Sequence, residues 1–298
     1  MQNHRIGFIS SLRALTSERG WYKPLIILAL LSWVPILGTI ALLGYAYEWA
    51  RLAAWGVDGA PRRQGIDYGK LLATGGWAFL ILLSMSIVCS AIESVLFGTG
   101  FTVLMPFDFG SVGSWGASVD EYRYVAFGMR ELVAAVCQVI AGGFILAAMM
   151  RGVIYDGFSA GWRLDRLFQM IGRDMGGFMR LVAVSAIGCA VGLAYSWLAT
   201  IVVSFAASAG VTALGWHDGV LYLFNTGYLL RHLFTLEPSM ALGAALLSAA
   251  VSFIGSMLSI AMQMVSVHAT GMWFRSFDVG RWGLSSDPLP DDVPHPLA

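Results

Sequence analysis

Five polar or ionisable side chains lie inside or at the ends of long apolar stretches, where burial is costly unless the group has a partner or a purpose. They are Glu93, Arg130, Glu131, Gln138 and His268. Glu93 and Arg130 lie at facing ends of consecutive stretches. The positions of these two residues predict either an ion pair that fixes helix packing or the mouth of a cation or proton path. His268 is interpreted as a packed, hydrogen-bonded histidine or as a ligand-binding group.

Five arginines separate the second apolar stretch from the third, and aromatic residues such as Trp162 and Phe168 lie among them. They are Arg151, Arg163, Arg166, Arg173 and Arg180. Arginine beside aromatic rings at a membrane interface can bind phospholipid headgroups or a phosphorylated ligand. The alternative is that these arginines only set the orientation of the chain in the membrane.

The sequence contains none of the common motifs of metal, nucleotide or acyl-transfer chemistry. There is no H-E-x-x-H, no phosphate-binding loop, no Rossmann glycine pattern and no G-x-S-x-G. The cysteines, Cys89, Cys137 and Cys189, lie in separate apolar stretches without C-x-x-C spacing. We therefore expect no cofactor and no metal, and the pattern leans against an enzyme.

The composition identifies the kind of protein that must position these residues. Of 298 residues, 57% are hydrophobic and only 12% are charged, with 18 Lys and Arg against 18 Asp and Glu. An ordinary globular domain carries about 25% charged residues. This chain has too little polar surface for a soluble body and no basic excess for nucleic acid, so we expect an integral membrane protein in a lipid bilayer.

Four apolar stretches are long enough to cross a membrane, which takes about 20 residues. They are roughly 71–96, 132–150, 181–207 and 240–267. Backbone groups in hydrocarbon must satisfy each other, so such stretches are helical. The predicted fold class is an all-α, polytopic membrane helix bundle.

A fifth apolar stretch, 21–47, is interrupted by Pro35, and Gly38 follows shortly after. Proline removes a backbone donor and clashes with the preceding turn, so the helix should break there. We predict a re-entrant or broken helical hairpin with Pro35 and Gly38 at its apex. Its returning arm carries Glu48 and Arg51, which lie three residues apart and predict a local ion pair.

The distribution of basic residues favours this hairpin over a single crossing. A single crossing would leave seven Lys and Arg outside, whereas a hairpin leaves only Arg123, Arg130 and Arg231 there. The positive-inside rule therefore predicts that both termini are cytoplasmic. Two short spans give the same sidedness, and a single kinked span stays open as an alternative.

Three segments follow from this topology. Residues 1–20 predict an amphipathic arm on the cytoplasmic leaflet, because Phe8, Leu12 and Leu15 fall near one helical face. Residues 21–284 form the predicted membrane domain. Residues 285–298 are rich in Pro and Asp and predict a disordered cytoplasmic tail.

The stretch before the first long apolar helix resembles a known family. Its features are Pro35 with Gly38, then Gly44, Tyr45, Arg51, Gly56, Gly59, Pro61, Asp67 and Gly69, leading into Leu71. Over residues 20–80 this pattern is similar to a prokaryotic membrane family, domain-of-unknown-function family 4013. The resemblance implies a multi-pass protein of the prokaryotic cell membrane and supplies no reaction.

Two functions remain as hypotheses. The first is a non-enzymatic membrane scaffold that binds lipid or a membrane protein partner. Small-residue stripes such as Gly188-x-x-x-Gly192 permit close helix packing within the chain, in a homo-oligomer or with a partner. The alternative is a small transporter or channel with a polar path near Glu93 and Gln138.

Overall fold

The computed structural model describes residues 6–34, 36–57, 59–97, 129–213, 238–277 and 279. Within these ranges there are helices and no strand, so the predicted all-α helical bundle is confirmed. The helices are α1 Phe8–Thr16, α2 Tyr22–Leu31, α3 Leu37–Ala54, α4 Tyr68–Phe97, α5 Met129–Ile154, α6 Phe158–Gly161, α7 Leu164–Arg173, α8 Met175–Ala213 and α9 Pro238–Arg275. The predicted tail, 285–298, lies outside the described residues.

Four of these helices are long and apolar enough to cross a membrane. They contain the segments Tyr68–Leu96, Val136–Ile154, Met175–Ala199 and Ala249–Arg275. Each overlaps one of the four stretches expected from the sequence, and the chain is accordingly a membrane-embedded protein. The α5 and α9 segments are 61% and 56% buried, against 29% and 28% for α4 and α8. The α5 and α9 segments are therefore the more enclosed pair.

The helical hairpin forms where the sequence predicts a break. Helix α2 ends at Leu31 and α3 begins at Leu37. Ile36 has φ 65° and ψ −60°, close to a classic γ-turn, which is rare for a β-branched residue. A Cβ at Gly38 would overlap the carbonyl oxygen of Leu31, so only glycine permits the close approach of the two arms. Pro35 lies outside the described residues.

The two ends of the hairpin return to the same place. Arg63, which follows α3, donates a hydrogen bond from Nη1 to the carbonyl oxygen of Arg19, which precedes α2. Its Nη2 also lies 3.3 Å from Glu18 Oε2. Helix α2 has ten residues. It therefore spans about 15 Å, half the hydrocarbon thickness of a bilayer.

Helices α3 and α4 pack backbone against backbone. A Cβ at Gly44 would overlap the carbonyl oxygen of Leu71, and one at Gly75 would overlap that of Ile40. Small residues allow this approach in membrane helices, where dispersion and polar contacts replace the hydrophobic effect between helices. Helix α3 also makes a polar contact with α5. The buried Tyr47 hydroxyl donates to the carbonyl oxygen of Leu146 at 3.2 Å.

The chain divides into two compact units. The first comprises Met1–Pro106, Gly128–Gly188 and Ile260–Ala298, and the second comprises Phe107–Phe127 and Cys189–Ser259. In the second unit, the hydroxyl of Tyr195 on α8 donates to the carbonyl oxygen of Val251 on α9. The candidate site described next belongs entirely to the first unit.

Candidate functional site

Four connecting segments of the first unit meet at one end of the bundle, which we call the basic end. Their described residues are 17–21, 55–57 with 59–67, 155–174, and 276–277 with 279. The first two meet through Arg63 and Arg19. Arg275, at the end of α9, lies 3.6 Å from where a Cβ of Gly56 would be, and Tyr155 and Phe277 line one pocket. The basic end therefore gathers arginines from distant parts of the sequence.

Four of the five arginines expected to bind headgroups are exposed at or near this end. They are Arg163, Arg166, Arg173 and Arg180. Arg166 Nε lies 3.7 Å from Asp165 Oδ2, and both side chains are at least half exposed. Such a surface pair contributes little to stability. These guanidinium groups are therefore accessible to a ligand or to lipid.

Helix α7, a strongly amphipathic segment, carries Arg166 and Arg173, while Arg163 directly precedes it and Arg180 lies on α8. It buries Leu167, Met170 and Ile171 against the bundle, whereas Phe168 is 62% exposed. Exposed Phe158 and Leu164 lie just before it or at its start. Apolar rings beside cationic groups are typical of a helix lying in a membrane interface.

Arg151 has a different environment from the other four arginines. Its side chain is buried at the end of α5, and Nε donates to the carbonyl oxygen of Ala160 at 3.0 Å. Nη1 lies 3.9 Å from the sulfur of Met170, and the guanidinium carbon lies 5.1 Å from the centre of the Tyr155 ring. No carboxylate in the described ranges forms an ion pair with it.

A small pocket opens beside this buried arginine. It is lined by Arg151, Tyr155, Met170, Phe274, Phe277 and Val279. Sequence reasoning placed Arg151 in the arginine-rich segment but missed the three lining residues that follow the last apolar stretch. The clustered aromatic residues of that segment, Trp273, Phe274 and Phe277, were the available signal.

His268 is packed deep in the first unit. Its Nδ1 lies 3.1 Å from the hydroxyl oxygen of Ser11 on α1, and its ring stacks on that of Trp49 on α3 at 4.2 Å. Both contacts involve buried residues. The histidine thus joins α1, α3 and α9, as the first of its two interpretations expects.

Glu48 and Arg51 form the ion pair that their spacing predicts. Arg51 Nη2 donates to Glu48 Oε2 at 2.7 Å, and the hydroxyl of Thr74 on α4 donates to Glu48 Oε1, also at 2.7 Å. The arginine side chain is 6% exposed and that of the glutamate is 27% exposed. This polar group therefore links the hairpin to the first long helix.

The proposed polar path is not tested by the structure. The side chains of Glu93, Arg130 and Glu131 lie outside the described residues, and Gln138 is on the exposed surface of α5. A path near Glu93 and Gln138 stays a prediction. Among the residues that the structure describes, no group of three His, Cys, Asp or Glu side chains could hold a metal ion.

Comparison with known proteins supports a family assignment. The family model described as "Protein of unknown function (DUF4013)" matches residues 27–200. Searches of curated proteins and of solved structures found no match to the chain. The family match extends well past residue 80 and includes the hairpin from residue 27 onward, the arginine-rich segment and Arg151. The chain therefore belongs to the DUF4013 family of proteins of unknown function.

Proposed function

We propose that this protein is a non-enzymatic membrane scaffold whose basic end binds anionic phospholipid headgroups. The observation that carries the proposal is the surface of α7 and its flanks. There, Arg163, Arg166, Arg173 and Arg180 are exposed beside exposed Phe158 and Phe168. Their guanidinium groups suit phosphate oxygens, and the rings suit the boundary between headgroups and acyl chains.

The energetics favour lipid over solvent as the environment of this surface. Each arginine near an anionic leaflet contributes about 1 kcal/mol, and four such residues act together. The buried face of α7 holds the helix against the bundle, so little conformational freedom is lost when lipid binds. Exposed apolar rings at the same depth would otherwise remain in water.

We further propose that the basic end faces the cytoplasm of a prokaryotic cell and that the hairpin apex inserts into the bilayer. The positive-inside rule supports this orientation. The apex is apolar and exposed, with Trp33, Val34, Ile36 and Leu37 each at least 46% accessible in the isolated chain. Such side chains are suited to acyl chains and poorly suited to water.

The headgroup proposal is tested by replacing the four exposed arginines with glutamine. The full chain is placed in nanodiscs of phosphatidylcholine doped with phosphatidylglycerol, and enrichment of phosphatidylglycerol around the protein is measured. We expect the enrichment to fall at least about tenfold. The matched control is Asp165→Asn on the same helix, which should retain it. Unchanged enrichment in the quadruple variant would overturn the proposal.

The orientation is tested by cysteine accessibility in intact cells, in a variant without native cysteines. Single cysteines at Gly59, Ala160 and Ser285 should be protected from an impermeant reagent, and one at Ser114 should react. Reaction at Gly59 from outside would show that the first apolar stretch crosses the membrane completely.

A further inference from the structure

We propose that the first unit is a wedge in the membrane, thicker in the leaflet next to the basic end, and that it favours a bilayer that is convex on that side. The inference rests on the proposed insertion of the hairpin and adds a further function to it, the recognition of a curved lipid surface. It depends on where the short helices lie along the long ones.

The first argument is the position of the hairpin along α4. Gly44 lies against the carbonyl oxygen of Leu71, and Gly75 lies against that of Ile40. Helix α3 is therefore beside the first turns of α4, a helix of 30 residues that continues to Phe97. Helix α2 joins α3 at the apex, so the whole hairpin accompanies only the beginning of α4. When inserted, it occupies one leaflet.

Helices α6 and α7 lie towards the same end of the long helices. The indole of Trp162, which follows α6, donates to the hydroxyl of Ser84 on α4 at 3.0 Å. The ring of Phe168 on α7 lies 5.5 Å from that of Phe144 on α5. These contacts reach about the middle of α4 and the second half of α5, which ends at the basic end. They add protein to the same leaflet as the hairpin.

The second argument is the change in burial along α5. Every residue from 143 to 154 is buried or half-buried, whereas none of the described side chains between 133 and 140 is fully buried. Helix α4 changes in the same direction, because Ser90 is the one buried residue among the side chains described after Ser86. In the described part of the chain, α4 and α5 are therefore more thickly surrounded near the basic end than away from it.

The third argument is the outer face of α2, which indicates that lipid is its neighbour. The start of the helix is exposed and carries aromatic and cationic residues, Trp21, Tyr22 and Lys23. Further along, Ile27 and Leu30 are 65% and 60% exposed, while the opposite face packs on the bundle. Aromatic and cationic side chains are typical of the headgroup level, and aliphatic side chains are suited to acyl chains.

A protein that is thicker in one leaflet has an energetic preference for curvature. Each helix is about 10 Å across, so a two-helix hairpin adds the area of two helices to the leaflet that receives it. A convex leaflet has more area for each lipid, so its lipids accommodate the added helices with less compression. Membrane binding by helices that insert into one leaflet is accordingly sensitive to curvature.

The experiment measures the orientation of the full chain in phosphatidylcholine vesicles of two sizes. A single cysteine at Ser159, exposed on α6, reports with an impermeant reagent whether the basic end faces outward. We expect the ratio of outward to inward chains to be at least about threefold higher in small sonicated vesicles than in large extruded ones. Equal ratios in the two sizes would overturn the proposal.

Variants at the apex assign the effect to the hairpin. Leu30→Asp with Trp33→Asp places charges on two exposed side chains, which should leave the hydrocarbon, and the ratios in the two sizes should become equal. Leu30→Met with Trp33→Leu is the matched apolar control and should retain the difference. A size dependence that survives in the aspartate variant would show that the hairpin is not its cause.

The neighbour of the outer face is tested separately. A fluorescent label on a cysteine at Leu30 should be quenched by nitroxide groups on the acyl chains of the lipid. Protection from these nitroxides would assign the face to a second copy of the chain or to another protein, and it would overturn the proposal. This measurement does not require the aspartate variant to fold.

Failure of the wedge is distinguishable from failure of the headgroup proposal. Phosphatidylcholine has no net charge, so the vesicle experiment does not depend on binding of anionic headgroups by the exposed arginines. The variant with four arginines replaced by glutamine should keep the size dependence. Equal ratios in the wild type would remove the wedge alone, and unchanged phosphatidylglycerol enrichment in the quadruple variant would remove the headgroup surface alone.

Discussion

Two buried arginines in the same unit of this protein have opposite environments. Arg51 and Arg151 are 5% and 6% exposed. Arg51 is paired with Glu48, and Thr74 hydrogen-bonds the same carboxylate. Arg151 contacts a carbonyl oxygen, a sulfur and an aromatic ring, all of them neutral. The difference indicates that the first arginine completes a closed ion-pair contact, whereas the second is held by neutral groups alone among the described residues.

The surroundings of the two residues reinforce this contrast. Around Arg51, α3 and α4 are in backbone contact at Gly44 and Gly75. Around Arg151, α5 and α7 leave a pocket that the segment after α9 partly covers. Dense packing resists substitution, and an open pocket tolerates it. The following predictions test this contrast, beginning with the largest expected effect.

The closed region should be most sensitive at its glycine contact. In Gly75→Ala, the added Cβ would overlap the carbonyl oxygen of Ile40, so α3 and α4 must separate. We expect a loss of at least about 3 kcal/mol in the free energy of unfolding, measured in mixed micelles with increasing SDS. The matched control is Gly76→Ala, where a Cβ has nothing within 4 Å. Equal losses in the free energy of unfolding for the two variants would contradict the close packing of α3 against α4.

The ion pair should give the next largest effect. Glu48→Gln keeps the shape of the side chain but removes the negative charge beside a buried guanidinium. We expect a loss of about 2 kcal/mol, below the range for fully buried pairs because water reaches the glutamate. Adding Arg51→Met should recover part of this loss, and the same SDS titration measures the coupling energy. Purely additive effects would contradict a structural role for the pair.

The contact between α1 and the bundle should have a smaller effect. Ser11→Ala removes the hydroxyl that contacts His268, and we expect a loss of about 1 kcal/mol. Limited proteolysis within 8–16 should become faster as α1 detaches more often. Ser10→Ala is the control, since that exposed hydroxyl donates to the nearby carbonyl oxygen of Gly7. Equal proteolysis rates in both variants would show that the histidine does not hold α1.

The smallest effect is expected at Arg151. Arg151→Met leaves no carboxylate behind in the described part of the chain and keeps apolar contact with Met170. We therefore expect the free energy of unfolding to change by less than about 1 kcal/mol. A destabilisation as large as that of Glu48→Gln would assign Arg151 to the structure and would remove the contrast with Arg51.

Much of the architecture was predictable from local sequence. Long apolar stretches satisfy their backbone hydrogen bonds in lipid by forming helices, so the four long helices could be placed without tertiary information. The hairpin followed from Pro35 together with the positions of the arginines. The ion pair between Glu48 and Arg51 followed from helical spacing alone. Each of these inferences depends on neighbours within a few residues or on the solvent.

The candidate site was only partly predictable. The arginine-rich segment was recognised, but its five members were treated alike, and the structure buries Arg151 while exposing the other four. The pocket depends on Phe274, Phe277 and Val279, more than one hundred residues away along the chain. Spacing within one segment contains no information about which distant side chains cover it.

By itself, the sequence determined that this protein lies in a membrane, that it is helical and where the first apolar stretch is interrupted. Hydropathy, backbone hydrogen bonding and proline act locally, so these features could be read from short stretches of sequence. Only the tertiary structure decided which of the described charged side chains are paired, which are exposed and that Arg151 is buried among neutral groups. The physical reason is that burial and ion pairing depend on contacts between helices, and those contacts are formed by residues far apart in the chain.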